Sequence, residues 1–232
     1  MNEQRPSFFT DGAAYERMMG RWSRAAGAIF LDWLALPPGL SWLDVGCGTG
    51  AFSDLLLERA RPAKIIGIDP SEAQIAHART RPASAQVDFR VGDAQALPFD
   101  DGEFDAAAMA LVISFLPDPA KGVREMRRVV RPGGTVATYM WDFRGGGFTA
   151  WPLRQAIESI GIALPPLINP EASTLERLTS FFTVAGLTEI GQRTIEIDLT
   201  FDDVDDFLES HTALVDNPVA RIVRNLPTAD TQ

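Results

Sequence analysis

Residues 43–50 read Leu43-Asp44-Val45-Gly46-Cys47-Gly48-Thr49-Gly50. A short apolar run, 42–47, enters a tight glycine turn at 46–50, and residues 51–60 then carry the composition of a helix. A strand that runs through a glycine turn into a helix opens a βαβ unit. Glycine lets a backbone approach a ligand without the steric limits of a Cβ. The free amides at the start of the following helix favour a carboxylate or another anion.

Working outward, the same rhythm repeats. Residues 64–68 form a second apolar run. Ser71 with Gln74 three residues on has the form of a capping box, opening a helix to Arg79. Residues 86–91 and 104–113 read as the third and fourth strands, the latter rich in Ala, Met and Val. Asp118-Pro119 is an N-cap followed by proline at the first helical position, and that helix runs to Arg131. Pro132-Gly133-Gly134 turns the chain into a fifth strand at 135–141.

The flanks differ in character. Residues 13–36 carry apolar side chains at helical spacing (Ile29, Trp33, Leu36) and stop at Pro37-Pro38-Gly39. Past Trp141 comes a glycine-rich loop at 144–147, a helix at 151–160 and a proline-rich connection at 164–170. Ser173 and Glu176 form a second capping box, with a helix to Gly186. Ile195, Ile197, Leu199 and Phe201 then alternate with Glu196, Asp198 and Thr200, as expected of a strand with one solvated face, hence antiparallel. An acidic helix follows at 202–209.

These elements predict an α/β fold: a doubly wound, mostly parallel sheet with helices on both faces and an antiparallel strand near the C-terminus. A single domain is expected over 1–232. Residues 13–40 form a helical cover, 41–142 the ligand-binding core, and 143–232 the acceptor-side helices and last strand. Ligands in such sheets bind outside the carboxyl ends of the strands, at the switch point.

Composition narrows the partners. A net charge of −10 repels phosphate backbones and argues against nucleic acid. Arg124, Arg127, Arg128 and Arg131 read as a solvated helix face. One cysteine forms no intrachain disulfide, and Cys47 with His77 and His211 falls short of a zinc ligand set, so no metal is expected. Residues 1–12 lack the apolar core of a signal peptide, and no apolar run approaches a membrane span. A cytoplasmic location is expected.

Chemistry-bearing residues recur at strand ends. Asp69, about twenty residues beyond the glycine turn, can accept both hydroxyls of a ribose. Gly92-Asp93-Ala94 places a carboxylate where it can accept from an exocyclic adenine amine, and small residues at Met109-Ala110 leave room beside the fourth strand.

Taken in order, the set resembles the class I S-adenosylmethionine-dependent methyltransferases. Residues 42–50 look like their first motif, and Gly67-Ile68-Asp69-Pro70-Ser71 like their acidic ribose-binding motif. Gly92-Asp93-Ala94, with Ala96-Leu97-Pro98-Phe99 and Phe104-Asp105, resembles the adenine-side loop and fourth strand. Arg131-Pro132-Gly133-Gly134 resembles the turn before the fifth strand. The similarity is strongest to the branch holding the ubiquinone and menaquinone biosynthesis methyltransferases and their small-molecule relatives.

The resemblance implies S-adenosylmethionine as cofactor, S-adenosylhomocysteine as product and a small-molecule acceptor. Gly46 and Gly48 pack beside the methionine part of the cofactor, and Asp44 helps orient its amine. Asp69, with Pro70, holds the ribose. Asp93 and the Ala94 amide read the adenine, and Ala110 borders the site. The stretch 15–23 resembles an N-terminal segment of some relatives, so Tyr15 and Arg21 cover the methionine carboxylate; an exposed helix charge is the alternative for Arg21. Relatives finish with a further helix and a last antiparallel strand. Here 224–227 resembles the approach to that strand, so the alternating strand at Ile195 lacks its hairpin partner, and the sheet edge is either exposed or covered by a second copy.

No general base stands out in the sequence. His77 lies inside a flanking helix, His211 follows the acidic helix, and Asp142 sits just past the fifth strand, where turn-forming Asp is common. Trp141, Phe143, Phe148 and Trp151, with Met18 and Met19 near the mouth, are either acceptor lining or cover over the sheet. Two rival functions remain. A non-catalytic cofactor-binding regulator or partner subunit is one. An NAD-dependent oxidoreductase is the other: Gly46, Gly48 and Ala51 fit G-x-G-x-x-G/A loosely, against the charged Asp44 and the lack of a Tyr-x-x-x-Lys hydride-transfer set.

Overall fold

The protein is described by a computed structural model. It covers residues 12–213 and 217–226, with the side chains of residues 12–18 and of residue 83 outside the described set. Tyr15 and Met18 therefore lie outside it as side chains.

Five parallel strands form one sheet in the order β3-β2-β1-β4-β5. They are β1 (Ser41–Val45), β2 (Lys64–Asp69), β3 (Asp88–Val91), β4 (Phe104–Ala110) and β5 (Val130–Tyr139). The order reverses between β1 and β4, which opens a crevice at their carboxyl ends.

Alternation along β1 sends Leu43 and Val45 to one face and Trp42 to the other. On Trp42's face lie α1 (Gly12–Leu34), α2 (Ala51–Ala60) and α3 (Glu72–Ala78), which bury Phe30, Leu55, Leu56 and Ile75. On the opposite face α4 (Pro119–Val129) contributes Val123, Met126 and Val129. Farther along, α5 (Trp151–Ser159) is followed by α6 (Leu175–Val184), which adds Phe181 to that layer. Helices α7 (Val204–Thr212) and α8 (Pro218–Arg224) close a smaller cluster with α5 around Leu153, Ile157 and Val219. No described helix is long and apolar enough to cross a membrane, and the described residues hold no metal-ligand cluster.

Several details depart from the expected elements. The fourth strand ends at Ala110, and residues 113–115 turn as a 3-10 helix. The fifth begins at Val130, with a register shift that takes Phe104↔Val130 to Ala106↔Thr135. Gly134 is required in that bulge, because a Cβ there would lie 2.5 Å from the Asp105 carbonyl. The N-cap of α6 is Thr174, whose hydroxyl accepts from Arg177 N, rather than Ser173. Ser173 is instead buried: its hydroxyl donates to Pro170 O and accepts from Phe143 N.

The expected antiparallel strand around Ile195 is not formed. Residues 188–201 form neither helix nor strand, and among the described residues no backbone hydrogen bond ties them to β5. A cavity of about 1420 Å³ separates the two, walled by β5, by Trp22, Phe30 and Trp33 of α1 and by Leu178 and Phe182 of α6. An alternating pattern encodes a solvated and a buried face, but a strand also needs a neighbour within about 4.7–4.9 Å. Of the four arginines read as a solvated face, Arg124, Arg127 and Arg131 are exposed. Arg128 is half-buried and bonds Glu125, Asp101 and the carbonyls of Leu97 and Phe99.

Candidate functional site

The turn after β1 is built by hydrogen bonds to its neighbour. Gly46 N and Cys47 N both donate to Ile68 O of β2, at 2.7 and 3.0 Å, and Gly50 N closes the turn on Cys47 O at 2.8 Å. Gly46, Gly48 and Gly50 all hold positive φ. They differ in what surrounds them. A Cβ on Gly46 would meet the Val112 methyls at 2.6 Å, whereas one on Gly48 would have only Gln74 Oε1, at 4.0 Å. Gly48 therefore borders open space, and Gly46 borders protein. Helix α2 starts from Gly50 with no side-chain cap, leaving its first-turn amides directed at the crevice.

Asp44 is fully buried under this turn. Its Oδ2 accepts from Ser53 Oγ of α2 at 2.6 Å, while Oδ1 is buried with no partner. Burial pushes its carboxyl up to about 7; the Ser53 bond works against that rise and the neighbouring Asp69 charge adds to it. Asp69, at the end of β2, is half-buried and accepts from Gly48 N at 3.1 Å and Ser71 N at 2.8 Å. A carboxylate oxygen can accept more than one hydrogen bond, the chemistry a diol requires. Pro70 follows it, half-buried.

At the end of β3, Gly92 N bonds Asp69 O at 3.1 Å. The next residue, Asp93, is exposed and accepts from Gln95 N at 2.9 Å, and Ala94 is buried behind it. Beyond half-buried Ala110, Leu111 takes a left-handed backbone, φ 62, and its N–H bonds Tyr139 O at 3.0 Å. That reversal places Val112 against Gly46. The structure thus places Asp44, Gly46, Gly48, Asp69, Pro70, Asp93, Ala94 and Ala110 at or just past the carboxyl ends of β1, β2, β3 and β4. Arg21 is engaged elsewhere: its guanidinium donates to Thr200 O at 3.0 Å and lies 5.3 Å over the Phe201 ring.

Past β5, the aromatic residues form a ladder. Phe143 and Phe148 are edge-to-face at 5.4 Å, and Phe148 and Trp151 at 5.7 Å. Gly146 lies so close to the Trp151 ring that a Cβ there would be 2.6 Å away. Met19 is buried beside this ladder, with Thr149 Oγ1 at 3.9 Å from its sulfur. Asp142 accepts from Gly145 N at 2.7 Å, the turn-forming role. His211 is buried among Trp22, Phe201 and Phe207, with Nδ1 2.8 Å from Phe207 O.

Residues 43–138 match the model of a family described as "Methyltransferase domain". Residues 43–138 thus carry a methyltransferase-domain core. A demethylmenaquinone methyltransferase of Desulfitobacterium hafniense is 39 % identical over 106 residues, covering 44 % of this chain and 42 % of that protein. An uncharacterised protein of Mycobacterium tuberculosis is 32 % identical over 173 residues, 71 % of this chain and 62 % of its own. An S-adenosylmethionine-dependent methyltransferase of Thermotoga maritima superposes with a TM-score of 0.56 at 26 % identity, over 77 % of this chain and 78 % of that one. The chain spans 33–62 % of the length of the first curated relatives it matches.

The methyltransferase core fits S-adenosylmethionine on its own geometry. The partnerless Asp44 oxygen suits a cation, the uncapped start of α2 suits a carboxylate, and the backbone at Gly48 borders open space. Ser53 and Val112 escape sequence reading, and Gln74 enters it only as a cap residue. Ser53 left a trace, as a small polar residue on the apolar face of α2 beside Phe52, Leu55 and Leu56.

Proposed function

We propose that this protein transfers a methyl group from S-adenosylmethionine to a small-molecule acceptor by in-line displacement. The observation that carries this reading is the buried, partnerless oxygen of Asp44 at the start of a glycine turn that borders open space at Gly48, with Asp69 and Asp93 at successive strand ends.

In this reading Asp44 receives the methionine ammonium and the α2 amides its carboxylate. Asp69, fixed by Gly48 N and Ser71 N, holds the ribose diol with Pro70 beside it. Asp93 and the Ala94 amide read the adenine, and Ala110 leaves room at the edge. Tyr15 and Arg21 on α1 close the methionine end from above, Arg21 by leaving Thr200 and Phe201. When bound, the cofactor supplies a methyl group already activated by its sulfonium. The protein's task is placement and exclusion of water, worth roughly 7–11 kcal/mol of barrier for well-oriented reactants. The aromatic ladder from Phe143 to Trp151, with Met19, fits an acceptor that is largely apolar and planar.

A second copy covering the free outer edge of β5 belongs to the same proposal, as does a cytoplasmic location. The edge carries no further strand among the described residues, and a strand from a second copy would extend the sheet there.

Transfer of a labelled methyl group tests the activity, with quinols, catechols and amines as acceptors. Labelled product that is lost in Asp69→Ala supports the reading. Tight S-adenosylhomocysteine binding with no product from any acceptor class would favour a non-catalytic cofactor-binding subunit.

A further inference from the structure

We propose that Asp44 makes cofactor binding proton-coupled: the empty site holds a proton on the Asp44 carboxyl, and entry of the ligand's ammonium expels it. This rests on the cofactor site described above and concerns its regulation.

The geometry is that of a carboxyl built to lack a counter-charge. Asp44 is enclosed on every side at the end of the central strand, paired in the sheet with Gly67 of β2 and Ala108 of β4. Helix α2 offers it one neutral donor, Ser53, at 2.6 Å, and that donor occupies Oδ2 alone. The titratable groups whose charge bears on it are Asp69 from β2 and the buried Cys47 thiol in the turn. Neither is a cation. A carboxylate in such a place pays full desolvation, so the neutral acid is favoured, and its carboxyl rises to about 7. The glycine turn that follows Asp44 borders open space at Gly48, where a Cβ would meet only Gln74 Oε1, at 4.0 Å.

An ammonium arriving there supplies the missing charge and favours the ionised form. Proton and ligand then compete, and each unit of pH below the carboxyl's midpoint lowers affinity about tenfold. Above the midpoint the carboxylate is already formed, and affinity is flat. The proton leaves to solvent, no covalent bond to carbon changes, and the charge on the site is conserved. Protonation of the ligand's own amine on binding would give proton uptake, the opposite sign.

The test is calorimetric titration of the full chain with S-adenosylhomocysteine in two buffers of different ionisation enthalpy, across the pH range on both sides of neutrality. The expected result is release of about half a proton at the carboxyl's midpoint, rising to about one below it. Asp44→Asn should bind weakly with no proton release. Ser53→Ala, which removes the bond that holds the carboxyl down, should move the release window to higher pH. The carbon-13 resonance of the Asp44 carboxyl, followed in the wild-type chain, reads the same transition without any substitution. Binding with no proton release, or release that persists in Asp44→Asn, overturns the proposal while leaving the cofactor assignment intact. Failure to bind at any pH overturns the cofactor assignment itself.

Discussion

The side chain of Val112 fills the volume that a Cβ on Gly46 would need, its two methyl carbons lying 2.6 Å from that position. The two residues come from different strand ends, and the left-handed backbone at Leu111 is what brings them together. The first glycine of the turn is thus a packing glycine. Gly46→Ala should destabilise the fold by about 1–3 kcal/mol, from overpacking and from its positive φ. Val112→Ala in the same chain should restore part of that loss. Urea denaturation of the two single variants and the double variant checks it, and additive losses would show that the contact is not shared.

Gly48 behaves oppositely, because its neighbourhood is open. Gly48→Ala should cost only about 1 kcal/mol of stability, for its positive φ of 53. It should cost much more in S-adenosylhomocysteine affinity. Asp69→Ala should weaken that affinity by roughly 1.5–3 kcal/mol, the scale of a charge-assisted hydrogen bond. Asp69→Asn should fall between, since one oxygen still accepts from a backbone amide. Calorimetry beside thermal melts separates lost binding from lost folding.

Stability should fall on the acid side through His211. Burial lowers its imidazole below the ordinary 6.5, with the carbonyls of Phe207 and Thr149 acting the other way. The unfolded chain keeps the ordinary value. Below it the unfolded state therefore binds a proton that the fold refuses, and stability declines as pH falls, by up to about 1.4 kcal/mol per unit. The decline ends once the folded group's own value is passed. In His211→Phe the acid-side slope should flatten, and denaturant midpoints above and below the imidazole range measure it.

Arg128 should matter more than a surface charge. It ties α4 to the loop after β3 through the Asp101 carboxylate and the Leu97 and Phe99 carbonyls, and pairs with Glu125 of its own helix, at 2.8–2.9 Å. Arg128→Ala should destabilise by about 1–3 kcal/mol. Arg124→Ala should change little, since its one ion pair is exposed at 3.6 Å. Paired thermal denaturation distinguishes the two.

The parallel core was legible because the acidic residues mark the strand ends: Asp44 stands one residue before the end of β1, Asp69 closes β2 and Asp93 follows β3. Local rules also located the caps at Ser71 and Asp118. What escaped depends on contacts across the sheet. Nothing near Gly46 announces Val112, and nothing near Arg128 announces Asp101. The pattern at Ile195 specifies a buried face, but pairing depends on a neighbour that the described chain does not put there. Ser173 and Thr174 are both competent N-caps, and only the buried bond to Phe143 N decides between them.

The most direct test of the central claim is calorimetric titration of the purified chain with S-adenosylhomocysteine, run beside NAD. Binding of S-adenosylhomocysteine in the micromolar range or tighter, with none of NAD, is the result this account predicts. A folded chain that binds NAD and not S-adenosylhomocysteine, or binds neither, would contradict it.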